Sequence, residues 1–383
     1  MRMQNVPFKQ IAQCPNLKGK YVFLRASLNV PIEDGEVKNQ FRITRGLSTV
    51  RYLIAQKARV VMAGHIGRDG SVSTKPIADI FATHVPTVFS PEVVGDKTQR
   101  LRDELQDGEM LVLENLRSCA GEKENDATFA KELASLADIY VNDAFAASHR
   151  EHASLSAITQ YIPSYAGMNF VHEYQELKKA STPSSPSLFL LGGAKFDTKM
   201  PLVEKFLDIY NHVFIGGALA NDFFKAKGYE VGTSLVSDVC LKEHPIVQNP
   251  KILLPVDVTV QKDGKSRVTT PDKVKSDERI MDAGPDTVAM LSSYIKDASM
   301  VLWNGPLGDY EHGFEEQTVR VAKIIAQADG YSVIGGGDTV ASIEELNCQE
   351  KYDFLSTAGG AMLTFLELGT LPAIKALKNS PDI

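Results

Sequence analysis

The chain has 383 residues, and its 41 Lys plus Arg against 48 Asp plus Glu leave a net charge of −7. At about 150 residues per domain this length implies two or three domains, and 43% hydrophobic with 23% charged residues is ordinary for a globular protein. The acidic balance argues against a duplex nucleic-acid binder, the lack of an apolar run near ~20 residues argues against a membrane span, and four scattered cysteines without a C-x-x-C pair fit a reduced, cytoplasmic setting with no zinc site.

Read in chain order, short apolar runs predict strands at Tyr21–Leu24, Val60–Ala63, Leu111–Leu113 and Ile139–Val141. A second series follows at Leu188–Leu191, Val213–Ile215, Ile252–Leu254, Val301–Trp303 and Ser332–Ile334. Most are continuously apolar, the pattern of strands covered on both faces. Helical patterns lie between them, for example Phe129–Ala137 behind Asn125-Asp126. Alternation of this kind predicts an α/β fold with parallel sheets and right-handed crossovers. A polar, proline-rich stretch from Ser181 to Ser187 separates the two series, and Phe170–Ala180 before it reads as a connecting helix with Val171, Tyr174 and Leu177 on one stripe. The expectation is two doubly wound (Rossmann-like) domains joined by a hinge helix. The first covers 1–168 and the second 169–370, with 169–182 as the hinge.

Ligands bind at the carboxyl ends of strands in open parallel sheets, and there the two halves differ. The first half carries cations: Arg25, His65, Arg68, Arg117 and Arg150 after strands, with Arg42 in the first loop-to-helix segment. Cations gathered on one rim repel each other unless an anion sits among them, and a small acid bearing phosphate and carboxylate meets that need. The second half carries Gly192-Gly193, Gly216-Gly217, Gly305, Gly335-Gly336-Gly337 and Gly359-Gly360. Gly335–Thr339 precedes a helical segment, so its amides suit a phosphate, and Asp338 is either an N-cap or an oxygen ligand for Mg²⁺ on a nucleotide. Neither G-x-G-x-x-G nor G-x-x-x-x-G-K-[ST] follows a strand, which disfavours a dehydrogenase. His149 and His152, three apart, have no further ligands to make a metal site.

These residues resemble the phosphoglycerate kinase family. Arg25-Ala26-Ser27-Leu28-Asn29-Val30-Pro31 is similar to R-x-D-x-N-V-P, and Gly64–Arg68 to S-H-L-G-R. Leu113–Arg117, Asn142–Phe145 and His149–Ser154 match further blocks. Leu191–Lys195 with Lys199 resembles G-G-A-K-x-x-x-K, and Val301–Gly308 with Glu311, Gly335–Thr339 and Ser356–Ala361 complete the series in family order.

The resemblance implies a hinged cytoplasmic kinase, monomeric as family members commonly are, that moves a phosphoryl group between ATP and the carboxylate of 3-phosphoglycerate. It implies neither a nucleic-acid nor a membrane partner. The substrate site would comprise Ser27, Asn29, Arg42, His65, Arg68, Arg117 and Arg150. The nucleotide site would comprise Gly193, Ala194, Lys195, Lys199, Gly217, Asn304, Glu311, Gly336, Gly337, Asp338 and Thr339, with Mg²⁺ near Asp338. Arg42 and Lys199 would bracket the transferring group, with Gly359 and Gly360 amides on its oxygens, and the last stretch, 371–383, would return to the first domain. Ser27 stands where the family has Asp, Asp197 where a neutral residue is usual, and Ala358 where a glycine is usual. Ser27 opens the alternatives of impaired activity or altered acid specificity, and another ATP-dependent carboxylate kinase would use the same rim.

Overall fold

A computed structural model describes residues 6–194 and 199–381 of the chain. It divides into two compact units, Met1–Gln175 with Thr370–Ile383, and Glu176–Gly369. The division falls inside the helix Met168–Ala180, within the segment 169–182 read from sequence as the hinge.

The first unit is built on a six-stranded sheet. Its strands lie in the order Thr87–Phe89, Met110–Val112, Arg59–Ala63, Tyr21–Ala26, Ile139–Asp143, Ser164–Ala166, and every pairing is parallel. Ile139–Asp143 is buried along its whole length, its apolar run Ile139–Val141 fitting a strand covered on both faces. Helix Ala127–Ala134 begins where expected because the Asp126 side chain accepts a hydrogen bond from Phe129 N at 2.7 Å. It stops three residues early, at a turn through Ser135 and Leu136. Helix Pro372–Lys378 packs Ala373 against Ala144, Ala147 and Leu155 of this unit, and Ala373 N–H donates to Ser148 O at 3.2 Å.

The second unit has its own six-stranded sheet, in the order Ile252–Leu253, His212–Ile215, Ser187–Leu191, Met300–Asn304, Tyr331–Gly335, Phe354–Leu355. These pairings are parallel too. Numbered within this unit the order reads 3-2-1-4-5-6, the doubly wound arrangement whose crevice lies between the first and fourth strands. A separate antiparallel sheet of Val258–Lys262, Lys265–Thr269 and Arg279–Ala283 stands beside it. Sequence reading missed this sheet, although Asp263-Gly264, both at positive φ (47° and 73°), is a tight-hairpin signal. It also missed the edge strands Thr87–Phe89, Ser164–Ala166 and Phe354–Leu355, which have only 3, 3 and 2 residues. Runs that short carry no periodicity.

Among the described residues no single helix is long and apolar enough to cross a membrane.

Candidate active site

At the carboxyl ends of the first sheet, two loops are pinned to each other by backbone and amide groups. Asn29 Oδ1 accepts from Gly67 N–H at 3.0 Å, and Asn29 O accepts from Arg42 Nη1 at 2.7 Å. Arg117 donates through Nη1 to Gly67 O. Beneath them Asn115 acts as a brace: its Nδ2 donates to Ile66 O and Val72 O at 2.8 Å each, and its Oδ1 accepts from Arg117 N–H at 3.1 Å. Glu114 accepts from Thr74 N–H at 2.9 Å and Ser73 Oγ at 2.7 Å. The Leu113–Arg117 block therefore holds the loop that carries His65 and Arg68.

Not all the expected cations sit at the surface. Arg25 is fully buried, donating to Ser154 Oγ at 2.9 Å, Ala26 O at 2.6 Å and His65 Nδ1 at 2.8 Å. It supports the rim from below. His65 is also buried. Burial first, then Arg25, Arg117, Arg150 and His152, hold its pKa far below the usual imidazole range, so it is neutral at physiological pH. Burial and the neighbouring guanidiniums of Arg150 and Arg25 lower Arg117, and burial lowers Arg150. Arg25, Arg117 and Arg150 thus form one mutually repelling group around the neutral His65, with Asn29 and Arg42 tied to it through Gly67. Arg68 is exposed beside Gly67, and Ser27 is half-buried at the end of strand Tyr21–Ala26. Sequence reading missed Glu122, a fully buried carboxylate that accepts from Ser154 Oγ at 2.7 Å and Ser154 N–H at 2.9 Å. Its chemistry is legible only once the fold brings residues 122 and 154 together.

In the second unit the crevice is walled by glycines. Gly192 N–H donates to Asn304 O at 2.9 Å, and Gly193 N–H to Pro306 O at 3.1 Å, so the loops after the first and fourth strands are laced backbone to backbone. Gly193, Ala194, Gly217, Glu311 and Asp338 line a cleft of about 350 Å³. Phe224, Leu235, Met281 and Leu307 add apolar walls that sequence reading did not identify. Lys199, half-buried, donates from Nζ to Gly192 O at 2.8 Å, and burial pushes its ammonium down to about 8. Gly336, at φ 100°, precedes helix Gly337–Glu345, and Asp338 lies exposed in that helix's first turn. Thr339 is buried, its hydroxyl accepting from Gly305 N–H at 3.1 Å. Asn304 is buried with Nδ2 at 3.6 Å from Met362 Sδ. Both brace the cleft from outside its lining. Gly359, at φ 55°, opens helix Gly360–Leu368, whereas Ala358 is not among the residues at positive φ, so a side chain there costs no backbone strain. Lys195 and Asp197 lie outside the described residues.

A family model for phosphoglycerate kinase matches residues 11–368. The chain belongs to the phosphoglycerate kinase family. It is 38% identical to the phosphoglycerate kinase of Clostridium beijerinckii over 379 residues, covering 95% of this chain and 97% of that one. The phosphoglycerate kinase of a Wolbachia of Drosophila simulans is 38% identical over 403 residues, covering 99% and 100%. Among solved structures, phosphoglycerate kinase from Coxiella burnetii matches with a TM-score of 0.82 and 36% identity, and that from Pyrococcus horikoshii with 0.85 and 31%. Each match covers 97% of this chain and 99% of the other. The α/β fold with two parallel sheets is that of these relatives.

Asp282, in the cleft wall, gives a test of the electrostatics. Burial pushes its carboxyl up to about 7, although Gln317 and Ala283 amides donate to it. A carboxyl with a raised folded pKa binds its proton more tightly folded than unfolded, so its contribution falls as pH rises from about 4 to 7. The native protein is expected to lose thermal midpoint between about pH 5 and 7, and Asp282→Asn to flatten that loss. Thermal melts across that range check it, and parallel curves for both proteins would refute it.

Proposed function

We propose that this kinase transfers a phosphoryl group reversibly between ATP and the carboxylate of 3-phosphoglycerate, giving ADP and 1,3-bisphosphoglycerate. The acid occupies the cationic rim of the first unit through Ser27, Asn29, Arg42, His65, Arg68, Arg117 and Arg150. The nucleotide occupies the cleft of the second. The observation that carries the assignment is the rim itself: the guanidiniums of Arg25, Arg117 and Arg150 repel one another beside the neutral His65 and the buried carboxylate Glu122, and a small acid bearing phosphate and carboxylate relieves that repulsion.

The chemistry suits these groups. A carboxylate with a pKa near ~3.5 is already ionised at neutral pH, so no general base is needed. The barrier lies in bringing that anion to a polyphosphate, with charge spread over the equatorial oxygens in flight, so positioning and screening do most of the work. Arg42 and Lys199 screen the transferring group. The amides at Gly359 and Gly360 receive its oxygens at a helix start. In the cleft, Gly193, Ala194 and Gly217 cradle the nucleotide and Glu311 meets its ribose, and the family resemblance adds Lys195 to this set. Asn304 and Thr339 hold the walls, and Gly336 and Gly337 give close backbone approach.

Mg²⁺ fits Asp338. Among the described residues no three carboxylate, His or Cys groups cluster to cage a metal, and one exposed aspartate at a helix start suits an ion held mainly by phosphates and water. When bound, Mg²⁺ neutralises phosphate charge. The four thiols are unpaired, in keeping with a cytoplasmic enzyme, and each unit carries its own ligand set, in keeping with a monomer.

A coupled assay with purified protein, Mg-ATP and 3-phosphoglycerate is expected to show formation of 1,3-bisphosphoglycerate. Binding of Mg-ATP without turnover would refute the assignment. Ser27→Asp supplies a charged acceptor, and charged hydrogen bonds contribute about 1.5–3 kcal/mol. KM for 3-phosphoglycerate is therefore expected to fall by roughly tenfold or more. An unchanged or higher KM would show that Ser27 is not at the acid.

A further inference from the structure

Under the rim, a line of hydrogen bonds has its directions fixed by chemistry. The fully buried Glu122 accepts from both Ser154 N–H (2.9 Å) and Ser154 Oγ–H (2.7 Å). With its one hydroxyl proton directed to Glu122, Ser154 Oγ is left to accept, and Arg25 Nε donates to it at 2.9 Å. Arg25 has only donors, so the His65 Nδ1 that lies 2.8 Å from Arg25 Nη2 must accept. Its proton is then on Nε2. Around this line Tyr140 donates its hydroxyl proton to Ser154 O at 2.7 Å, and Arg25 Nη1 donates to Ala26 O at 2.6 Å. Burial alone would raise the Glu122 pKa. His152, with Nδ1 3.6 Å from Glu122 Oε1, the two bonds from Ser154 and the charge of Arg25 outweigh it and hold the carboxyl below its usual range.

We propose that Glu122 is a positioning residue for the acid site, which through Ser154 and Arg25 locks His65 in the Nε2–H tautomer so that the rim offers a neutral donor to an anionic oxygen of the acid. A neutral donor discriminates by direction, where another cation would attract any anion. The inference rests on reading His65 as an acid-site residue, and its tests separate the two.

Nitrogen NMR of the native protein is expected to show His65 unprotonated at Nδ1 and protonated at Nε2 throughout pH 6–8. A proton on Nδ1 would overturn the proposal. Ser154→Ala removes the link while leaving Glu122 and Arg25 in the chain. It is expected to give a mixture of His65 tautomers and to lower kcat/KM for 3-phosphoglycerate by roughly 10- to 50-fold, with KM for ATP within about twofold. Glu122→Gln keeps the side-chain shape and is expected to act in the same direction, which keeps the test open if Ser154→Ala does not fold. An unaltered tautomer in both variants, or KM for ATP shifting as much as KM for the acid, would overturn the relay. His65→Ala with an unchanged KM for the acid would remove the acid-site reading itself, and with it the purpose of the relay.

Discussion

Arg42→Ala is expected to lower kcat by about 10²- to 10³-fold, the range found when a preorganised donor to developing charge is removed. KM for ATP should stay within about threefold, because a group acting only in the transition state lowers kcat and kcat/KM together. The expectation follows from where the side chain is held. Arg42 sits in the first turn of helix Phe41–Ala55, and its Nη1 donates to Asn29 O at 2.7 Å. The guanidinium is thereby tethered to the loop that carries Asn29 and Ser27 and is not left to sample solvent. Lys199→Ala should act in the same direction from the nucleotide side. Since burial lowers the Lys199 ammonium to about 8, native turnover should decline above that pH as the charge is lost. Steady-state kinetics with each substrate varied in turn check both variants, and near-normal turnover in either removes that residue from the mechanism.

Gly305→Ala is expected to destabilise the second unit strongly and to damage its cleft. Gly305 has φ 93°, and a Cβ there would lie 2.5 Å from Gly192 O; a Cβ at the neighbouring Gly217 would lie 2.6 Å from Gly193 N. Neither neighbour is a flexible side chain that can swing away. A left-handed conformation costs a substituted residue roughly 1–2 kcal/mol, and overpacking adds about 1–3 kcal/mol. For a unit of this size the thermal midpoint should drop by roughly 5–15 °C. ADP should also lose much of its stabilising effect, because the laced loops line its cleft. Melts with and without ADP measure both, and a midpoint within about 2 °C of native with an undiminished ADP shift would refute the account.

The strands that form the middle of each sheet were legible because burial on both faces favours apolar runs, as in Ile139–Val141 and Met300–Trp303, each followed by a buried Asn at its carboxyl end. The edge strand Thr87–Phe89 was not, because none of its residues is buried and nothing forces an apolar run there. The positions of Gly193 and His65, just after strands, were legible for the same reason as their strands. The apolar cleft walls were not: Phe224, Leu235 and Met281 come from a helix, a loop and the antiparallel sheet, and nothing local marks them as neighbours.

The order of residues along the chain was enough to specify an alternation of buried strands and covering helices, cations after one set of strands and glycines after the other, since period and residue type act over a few positions. Only the folded chain decided that Arg25 lies under the rim instead of on it, and that Glu122 and Ser154, 32 positions apart, share hydrogen bonds. Burial and hydrogen-bond direction belong to pairs of distant residues, and no single stretch of sequence contains both members of the pair.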